Sequence, residues 1–233
     1  MNNKIQILPQ HLYNKIAAGE VVGRPESVVK ELIENSIDSG ASEISVLIKD
    51  AGKTLINVID NGSGMNEEDA KLAFLRHSTS KISTYDDLEN IRTLGFRGEA
   101  LASIAAISQV ELKTRLRSDD VGTLVRIEGN EVKEVSKANF EPGTSVSVKN
   151  IFYNTPGRRN FLKSNQTEFR HIYDTFVRLA VSNPGIEFRF YNNDEMIFDL
   201  KPATLQLRIE ELFGKEFSDS LIVIASGNQL VKL

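Results

Sequence analysis

Along 27–39 the apolar residues Val28, Val29, Leu32, Ile33 and Ile37 return at intervals that gather them on one face of a helix. Pro25 suits the first helical turn, Ser27 offers a cap, and Gly40 suits the position past the end. Strands are predicted over 44–49 and 54–60, joined by Asp50-Ala51-Gly52-Lys53. Asn61-Gly62-Ser63-Gly64 breaks the second strand sharply. Asn66 with Asp69 three residues on resembles a capping box, so helix is expected from 67 to about 76. A second helix, small and apolar on one side, is predicted over 98–108. Strands follow over 110–115, 123–128, 131–135 and 144–148, with Gly129-Asn130 as a hairpin turn. The helical period returns over 167–182 and stops at Pro184-Gly185. A hairpin of 186–191 and 196–200, a short helix over 205–213 and a strand from 221 to 225 complete the pattern.

These elements predict an α+β fold, a mixed and mostly antiparallel sheet with helices on one face. Two stretches lack a period. Residues 1–23 read as an arm, with Ile5, Ile7, Leu8, Leu12 and Ile16 scattered among polar residues and Ala17-Ala18-Gly19 as a flexible break. Residues 77–97 read as a long irregular segment rich in Ser, Thr and Gly, and such segments within a domain are usually functional lids. The strand from 221 has no visible partner after it. The expected division is therefore an arm over 1–23, a main domain over 24–215, and the start of a truncated second α/β domain over 216–233.

Composition narrows the partners. A net charge of -4 argues against a dedicated nucleic-acid-binding domain, which is usually basic. The absence of cysteine excludes disulfides and cysteine-ligated zinc, and fits a reducing cytosol. The first residues lack the apolar run of a signal peptide, and no stretch approaches the length of a membrane span. The expectation is a soluble, cytoplasmic protein with no membrane partner. His11, His77 and His171 are far apart and match no metal-ligand spacing.

Three segments carry candidate chemistry. At about 100° per residue, Glu31, Asn35 and Asp38 fall within roughly 60° of one another, with Glu34 close by. No Lys or Arg is read at helical spacing to offset this arc, and Asp38 sits where the helix dipole disfavours an anion. The arc is either a solvated acidic face or a carboxylate base beside a neutral oxygen ligand for a hard cation such as Mg²⁺. Asp60 stands at a strand end before Gly62 and Gly64. It either closes an Asx turn or accepts a hydrogen bond from an exocyclic amine such as adenine N6. Gly95-Phe96-Arg97-Gly98 leads into a helix, as a simple entry or as an anion site of free amides. A Gly-x4-Gly-Lys-Ser/Thr motif is absent, which excludes a P-loop nucleotide fold.

Taken in order, Glu31-Leu32-Ile33-Glu34-Asn35-Ser36-Ile37-Asp38, Asp60-Asn61-Gly62-Ser63-Gly64 and Gly95-Phe96-Arg97-Gly98-Glu99-Ala100-Leu101 resemble the ordered motifs of the gyrase, heat-shock chaperone, histidine kinase and MutL ATPase superfamily. Ile16-Ala17-Ala18-Gly19-Glu20-Val21-Val22, His77-Ser78-Thr79-Ser80-Lys81-Ile82 and Phe152-Tyr153-Asn154-Thr155-Pro156-Gly157-Arg158-Arg159 narrow the resemblance to the N-terminal ATPase domain of MutL-type DNA mismatch repair proteins.

The resemblance implies a Bergerat-type ATP site. Glu31 would be the general base for the attacking water, Asn35 a magnesium ligand, and Asp38 on the same acidic helix a further cofactor-binding residue. Asp60 would bind the adenine amine, with Gly62 and Gly64 shaping the pocket and Thr144 assisting at the base. Thr79, Ser80 and the loop of Gly95, Phe96, Arg97 and Gly98 would close over the phosphates. The cofactors implied are ATP and Mg²⁺. Hydrolysis would be slow, because a lid and a partner subunit must close first. The implied partners are a second copy of the chain when ATP is bound, mismatch-recognition and downstream repair proteins, and DNA through the full-length protein.

Other readings stand beside this one. The chain could sense nucleotide with little hydrolysis, or be another superfamily member such as a gyrase-like subunit or a protein kinase. Arg158, Arg159 and Lys163 form a small patch for direct DNA contact or a solvated helix entry.

Overall fold

The computed structural model describes residues 9–222. Its centre is an eight-stranded sheet of β1 (Glu43–Lys49), β2 (Leu55–Asp60), β3 (Gln109–Arg115), β4 (Gly122–Glu128), β5 (Glu131–Ala138), β6 (Gly143–Lys149), β7 (Glu187–Asn192) and β8 (Glu195–Leu200). The spatial order is β5-β4-β3-β6-β2-β1-β7-β8. Only β1 and β7 run parallel, so the sheet is mixed and mostly antiparallel, as the pattern predicts.

Alternation along the inner strands puts one set of side chains into the core. Three rows cross β2, β6 and β3 in register. Ile56, Val148 and Val110 form the first, and Val58, Val146 and Leu112 the second; all six side chains are buried. The third row is Asp60, Thr144 and Thr114. The same face of the sheet thus turns from apolar to polar at one end. Register shifts occur between Arg126 and Ile127 in the β4–β5 pair and between Phe190 and Tyr191 in the β7–β8 pair. The β3-β6-β2-β1 ladder contains none.

Helices cover the apolar rows. In α2 (Pro25–Asp38), Val28, Val29, Leu32 and Ile33 are buried, and the helix packs on β2 and on α7 (Asn165–Ser182). Phe176 of α7 stacks on Phe190 of β7 with ring centroids 4.6 Å apart, and Phe169 and Tyr173 extend that aromatic cluster. The helix α8 (Leu205–Phe213) is tied down by Arg208, whose fully buried guanidinium meets the carbonyls of Ala180, Pro184, Ile186 and Lys201. A cation at the C-terminal end of α7 also complements that helix's dipole.

Four differences from the sequence reading have local causes. First, 17–19 is not a break. The helix α1 (Gln10–Val21) runs through it and packs on α5 (Ala100–Ile107), with Ala18 and Val22 in the core. The small residues permit close approach rather than flexibility: a Cβ on Gly19 would fall 1.6 Å from Arg158 Nη2. Second, α3 (Glu67–Leu72) is shorter than expected, and its Asn66 cap accepts from the Asp69 amide as predicted. Third, the irregular segment contains α4 (Tyr85–Glu89), held by a reciprocal Thr84–Asp87 capping box. Fourth, α6 (Pro156–Phe161) and α9 (Lys215–Asp219) are one-turn helices that carry no apolar period to reveal them. The expectations for Ile5, Ile7 and Leu8, and for a strand reaching 225, lie outside the described residues.

Candidate functional site

The polar row at the end of the core face is the floor of the site. Asp60 closes β2 at a position where alternation puts it inside, and it is 9% exposed. Its Oδ1 accepts from the Gly62 amide at 2.9 Å and its Oδ2 from the Ser36 hydroxyl at 2.8 Å. Burial raises its carboxyl above the usual range, and the Gly62 amide, the Ser36 hydroxyl and the Thr144 amide oppose that rise. The Thr114 and Thr144 hydroxyls lie 3.0 Å apart, and Thr114 Oγ1 also accepts from the Met65 amide.

Glycines let the backbone close around this floor. Gly64 has φ +69°, and a Cβ there would stand 2.0 Å from the Arg115 carbonyl oxygen. At Gly62 a Cβ would meet Ser39 Oγ at 2.0 Å. The expected loop after β2 is therefore a close-packed turn, and Asp60 both caps it and keeps one carboxylate edge toward α2.

On α2, Glu31 and Asn35 are one turn apart. The Glu31 carboxyl is raised chiefly by partial burial; the Lys30 ammonium 3.6 Å away opposes the rise, the Glu34 charge adds to it, and Lys81 opposes it. The expectation that no cation offsets this arc is corrected. Lys30 precedes Glu34 by four residues and pairs with it at 2.8 Å. Lys30 lies on the flank of the helix, so its long stem reaches the acidic arc from outside it.

The irregular segment comes back onto the same helix. Lys81 Nζ donates to Asn35 Oδ1 at 2.9 Å and to Asp38 Oδ2 at 2.6 Å. Asp38 also accepts from the Leu94 and Gly95 amides at 2.9 and 3.2 Å. Asp38 thus faces the segment 77–97. Thr79 Oγ1 accepts from the Lys81 amide, while Ser80 is exposed. The ends of the segment meet where the His77 amide donates to the Gly98 carbonyl at 3.1 Å. Gly98 has φ +63°, and a Cβ there would press within 2.4 Å of the Ser78 carbonyl oxygen. The Arg97 guanidinium lies 5.5 Å from the centre of the Phe96 ring. Beyond Gly98, α5 begins without a side-chain cap, which leaves its first amides available to an anion.

The predicted residues therefore gather in two groups joined by α2: Asp60, Gly62, Gly64 and Thr144 at the sheet end, and Glu31, Asn35 and Asp38 with Thr79 and Gly95 at the lid. Arg158 does not complete a free basic patch; it turns back over Gly19 of α1. Sequence reasoning missed Ser36, Thr114, Lys30 and Lys81. Ser36 and Thr114 carried a usable signal, since each is a polar residue continuing an apolar series: Ser36 after Leu32, and Thr114 after Val110 and Leu112. Among the described residues, no group of three or more His, Cys, Asp or Glu side chains could hold a metal ion. A metal here would depend on few protein oxygens, and Asn35 Oδ1 already lies within reach of a cation.

Residues 23–154 match the family described as "Histidine kinase-, DNA gyrase B-, and HSP90-like ATPase". The chain is 55% identical over 229 residues to the "DNA mismatch repair protein MutL" of Chloroherpeton thalassium, covering 98% of this chain and 36% of that protein. It is 51% identical over 233 residues to the protein of the same name from Parabacteroides distasonis, covering 100% of this chain and 38% of that one. The chain thus spans between 36% and 38% of the length of these curated relatives. Among solved structures, the "Aquifex aeolicus MutL ATPase domain complexed with ADP" superposes with a TM-score of 0.68 at 32% identity, over 83% of this chain and 70% of that one. The N-terminal domain of a DNA repair protein superposes with a TM-score of 0.72 at 28% identity, over 89% of this chain and 62% of that one.

Proposed function

The chain belongs to the MutL family of DNA mismatch repair proteins, within the histidine kinase-, DNA gyrase B- and HSP90-like ATPases, and from that membership we propose that it binds ATP with magnesium and hydrolyses it slowly. One observation carries the reading: the Ser36–Asp60 hydrogen bond joins the helix of Glu31 and Asn35 to the polar row of the sheet. The two chemistries a nucleotide requires, recognition of a base and handling of a phosphate, are thereby held at fixed separation.

In this reading Asp60 accepts from the adenine amine, with Thr144 and Thr114 beside it and the glycine turn of Gly62 and Gly64 allowing close approach. Asn35 would hold magnesium by an oxygen donor of the type that ion prefers, and the ion supplies charge neutralisation at the phosphates. Glu31 orients the attacking water and takes its proton; its raised carboxyl makes it a better proton acceptor than an ordinary glutamate. The amides at the start of α5 and the loop of Gly95, Phe96, Arg97 and Gly98 receive phosphate oxygens, with Thr79 and Ser80 closing over them. Positioning and charge, rather than covalent chemistry, make up most of what phosphoryl transfer needs.

The nucleotide domain is taken as 24–215, with 1–23 as an N-terminal arm and 216–233 as the beginning of a second domain. ATP-gated pairing with a second copy fits the exposed Tyr13 and Ile16 of α1 and the exposed Phe161 of α6. In the whole protein, that pairing would transmit mismatch recognition to downstream repair enzymes and DNA in the bacterial cytosol.

Single-turnover cleavage of ATP with Glu31→Ala as control tests the enzymatic half. The variant should bind ATP within a few-fold of the parent chain and lose about 10²–10⁴-fold in cleavage rate. Parallel loss of binding and cleavage would remove Glu31 from the base role.

A further inference from the structure

Asp38 ends α2, and its side chain is 6% exposed. Its carboxylate takes three donors from a single segment: Lys81 Nζ at 2.6 Å, the Leu94 amide at 2.9 Å and the Gly95 amide at 3.2 Å. Residues 81 and 95 are thereby tied to one point, with the exposed helix α4 looped between them. The Lys81 ammonium spends a second hydrogen on Asn35 Oδ1 at 2.9 Å. That oxygen is the one a magnesium ion would need at about 2.0–2.1 Å. Two cations on one amide oxygen repel each other at short range in a half-buried site, so the lysine contact and the metal contact exclude one another.

We propose that Asp38 and Lys81 latch the lid, and that metal binding at Asn35 opens the latch by displacing the Lys81 ammonium. The proposal rests on the reading of Asn35 as a metal ligand. Asp38 is then a positioning residue: it touches neither the reacting atoms nor the metal, but sets where the lid stands. Displacement frees only the Lys81 end, because the Leu94 and Gly95 amides bond to Asp38 without using Asn35. The lid would therefore swing about Gly95, whose backbone has the conformational freedom of a residue without a Cβ. The released ammonium is carried beside Thr79 and Ser80 to the place where an incoming phosphate needs a counter-charge. One event would thus exchange a lysine for a metal at Asn35 and hand the lysine to the phosphate.

The test needs no turnover. Glu89 lies at the exposed end of α4, so glutamyl endopeptidase cleavage after Glu89, followed by mass spectrometry, reports the opening of the lid. In buffer without nucleotide or divalent metal, Lys81→Met and Asp38→Asn should each be cut at least about fivefold faster than the parent chain, and the double variant no faster than the faster single one. Unchanged thermal melting would establish that the variants remain folded. Millimolar Mn²⁺ alone should speed cleavage of the parent chain, leave Lys81→Met unchanged, and have no effect on Asn35→Ala. Separately, loss of the free-ion paramagnetic resonance signal should show tighter Mn²⁺ binding by Lys81→Met than by the parent. Parent-like cleavage of both single variants overturns the latch, even where Mn²⁺ binds. Faster cleavage of both variants, with no Mn²⁺ bound by Lys81→Met, keeps the latch but overturns the displacement and the metal role of Asn35 together.

Discussion

Ser36 gives its hydroxyl hydrogen to Asp60 across 2.8 Å, although the Leu32 carbonyl lies within 3.1 Å of the same oxygen. A hydroxyl has one proton, and a carboxylate is the stronger acceptor. The bond orients the carboxylate from the helix side while the Gly62 amide holds it from the turn side.

Asp60→Asn should weaken ATP binding by about 10- to 100-fold, the range expected when a buried amine loses its acceptor. The fold should survive. Burial raises the folded pKa of Asp60, so its carboxyl favours the folded state most below its unfolded pKa and loses that benefit as pH rises through the folded value. Removing the charge at neutral pH should leave the melting temperature unchanged or higher. Ser36→Ala should cost several-fold in ATP affinity, and the parent chain should prefer ATP to GTP. Calorimetric titration decides these points, and equal affinity for the two nucleotides would end the adenine assignment.

The raised Glu31 carboxyl gives a pH dependence of definite sign. Hydrolysis needs the carboxylate, so the rate should fall as pH drops through the folded Glu31 value, above the ordinary glutamate range of about 4.3. Lys30 opposes the rise, so Lys30→Ala should move that acid limb to higher pH. A pH series of single-turnover rates measures the midpoint; a shift in the other direction would mean that a different group controls the limb.

Gly64→Ala tests the turn. Its φ of +69° and the 2.0 Å approach to the Arg115 carbonyl leave no place for a methyl group. A cost of about 1–3 kcal/mol in urea unfolding is expected from the backbone conformation alone. The strand carrying Thr114 would shift with it and weaken nucleotide binding. Gly185→Ala, with nothing within 4 Å of its Cβ position, should be nearly neutral and serves as the control.

Chelation should separate the two ends of the site. Excess EDTA should abolish turnover while weakening nucleotide binding far less, because the base contacts involve no metal. Asn35→Ala should reproduce that pattern without a chelator. Full turnover in EDTA would take magnesium out of the mechanism.

The strands, the large helices and the abrupt end of β2 were legible because each rests on a local pattern. Val28, Leu32 and Ile33 announce a buried stripe, and Asp60 before two glycines announces an abrupt end. Lys30, four residues before Glu34, was a local signal that went unread, whereas other features that escaped lack either length or locality. The capping box of Thr84 and Asp87 stands in the sequence, but a five-residue helix has no apolar repeat to support it. Ala17, Ala18 and Gly19 resemble a flexible hinge until a neighbour is known to lie against them. Lys81 and Asp38 are 43 residues apart, and only the return of the lid onto α2 makes them partners.

The unshifted ladder of β3, β6, β2 and β1 has a consequence for changes in chain length. A residue inserted within β6 would reverse the facing of every residue on one side of it, turning either Thr144 or Val148 away from the core face. Gly143 pins that strand further, since a Cβ there would stand 2.0 Å from the Asp60 carbonyl oxygen. The outer pairs, β4–β5 and β7–β8, already accommodate an irregular residue each. Insertions are therefore absorbed at the rims of the sheet and rejected at its middle, so the spacing of Asp60, Thr144 and Thr114 stays fixed while the rims lengthen or shorten.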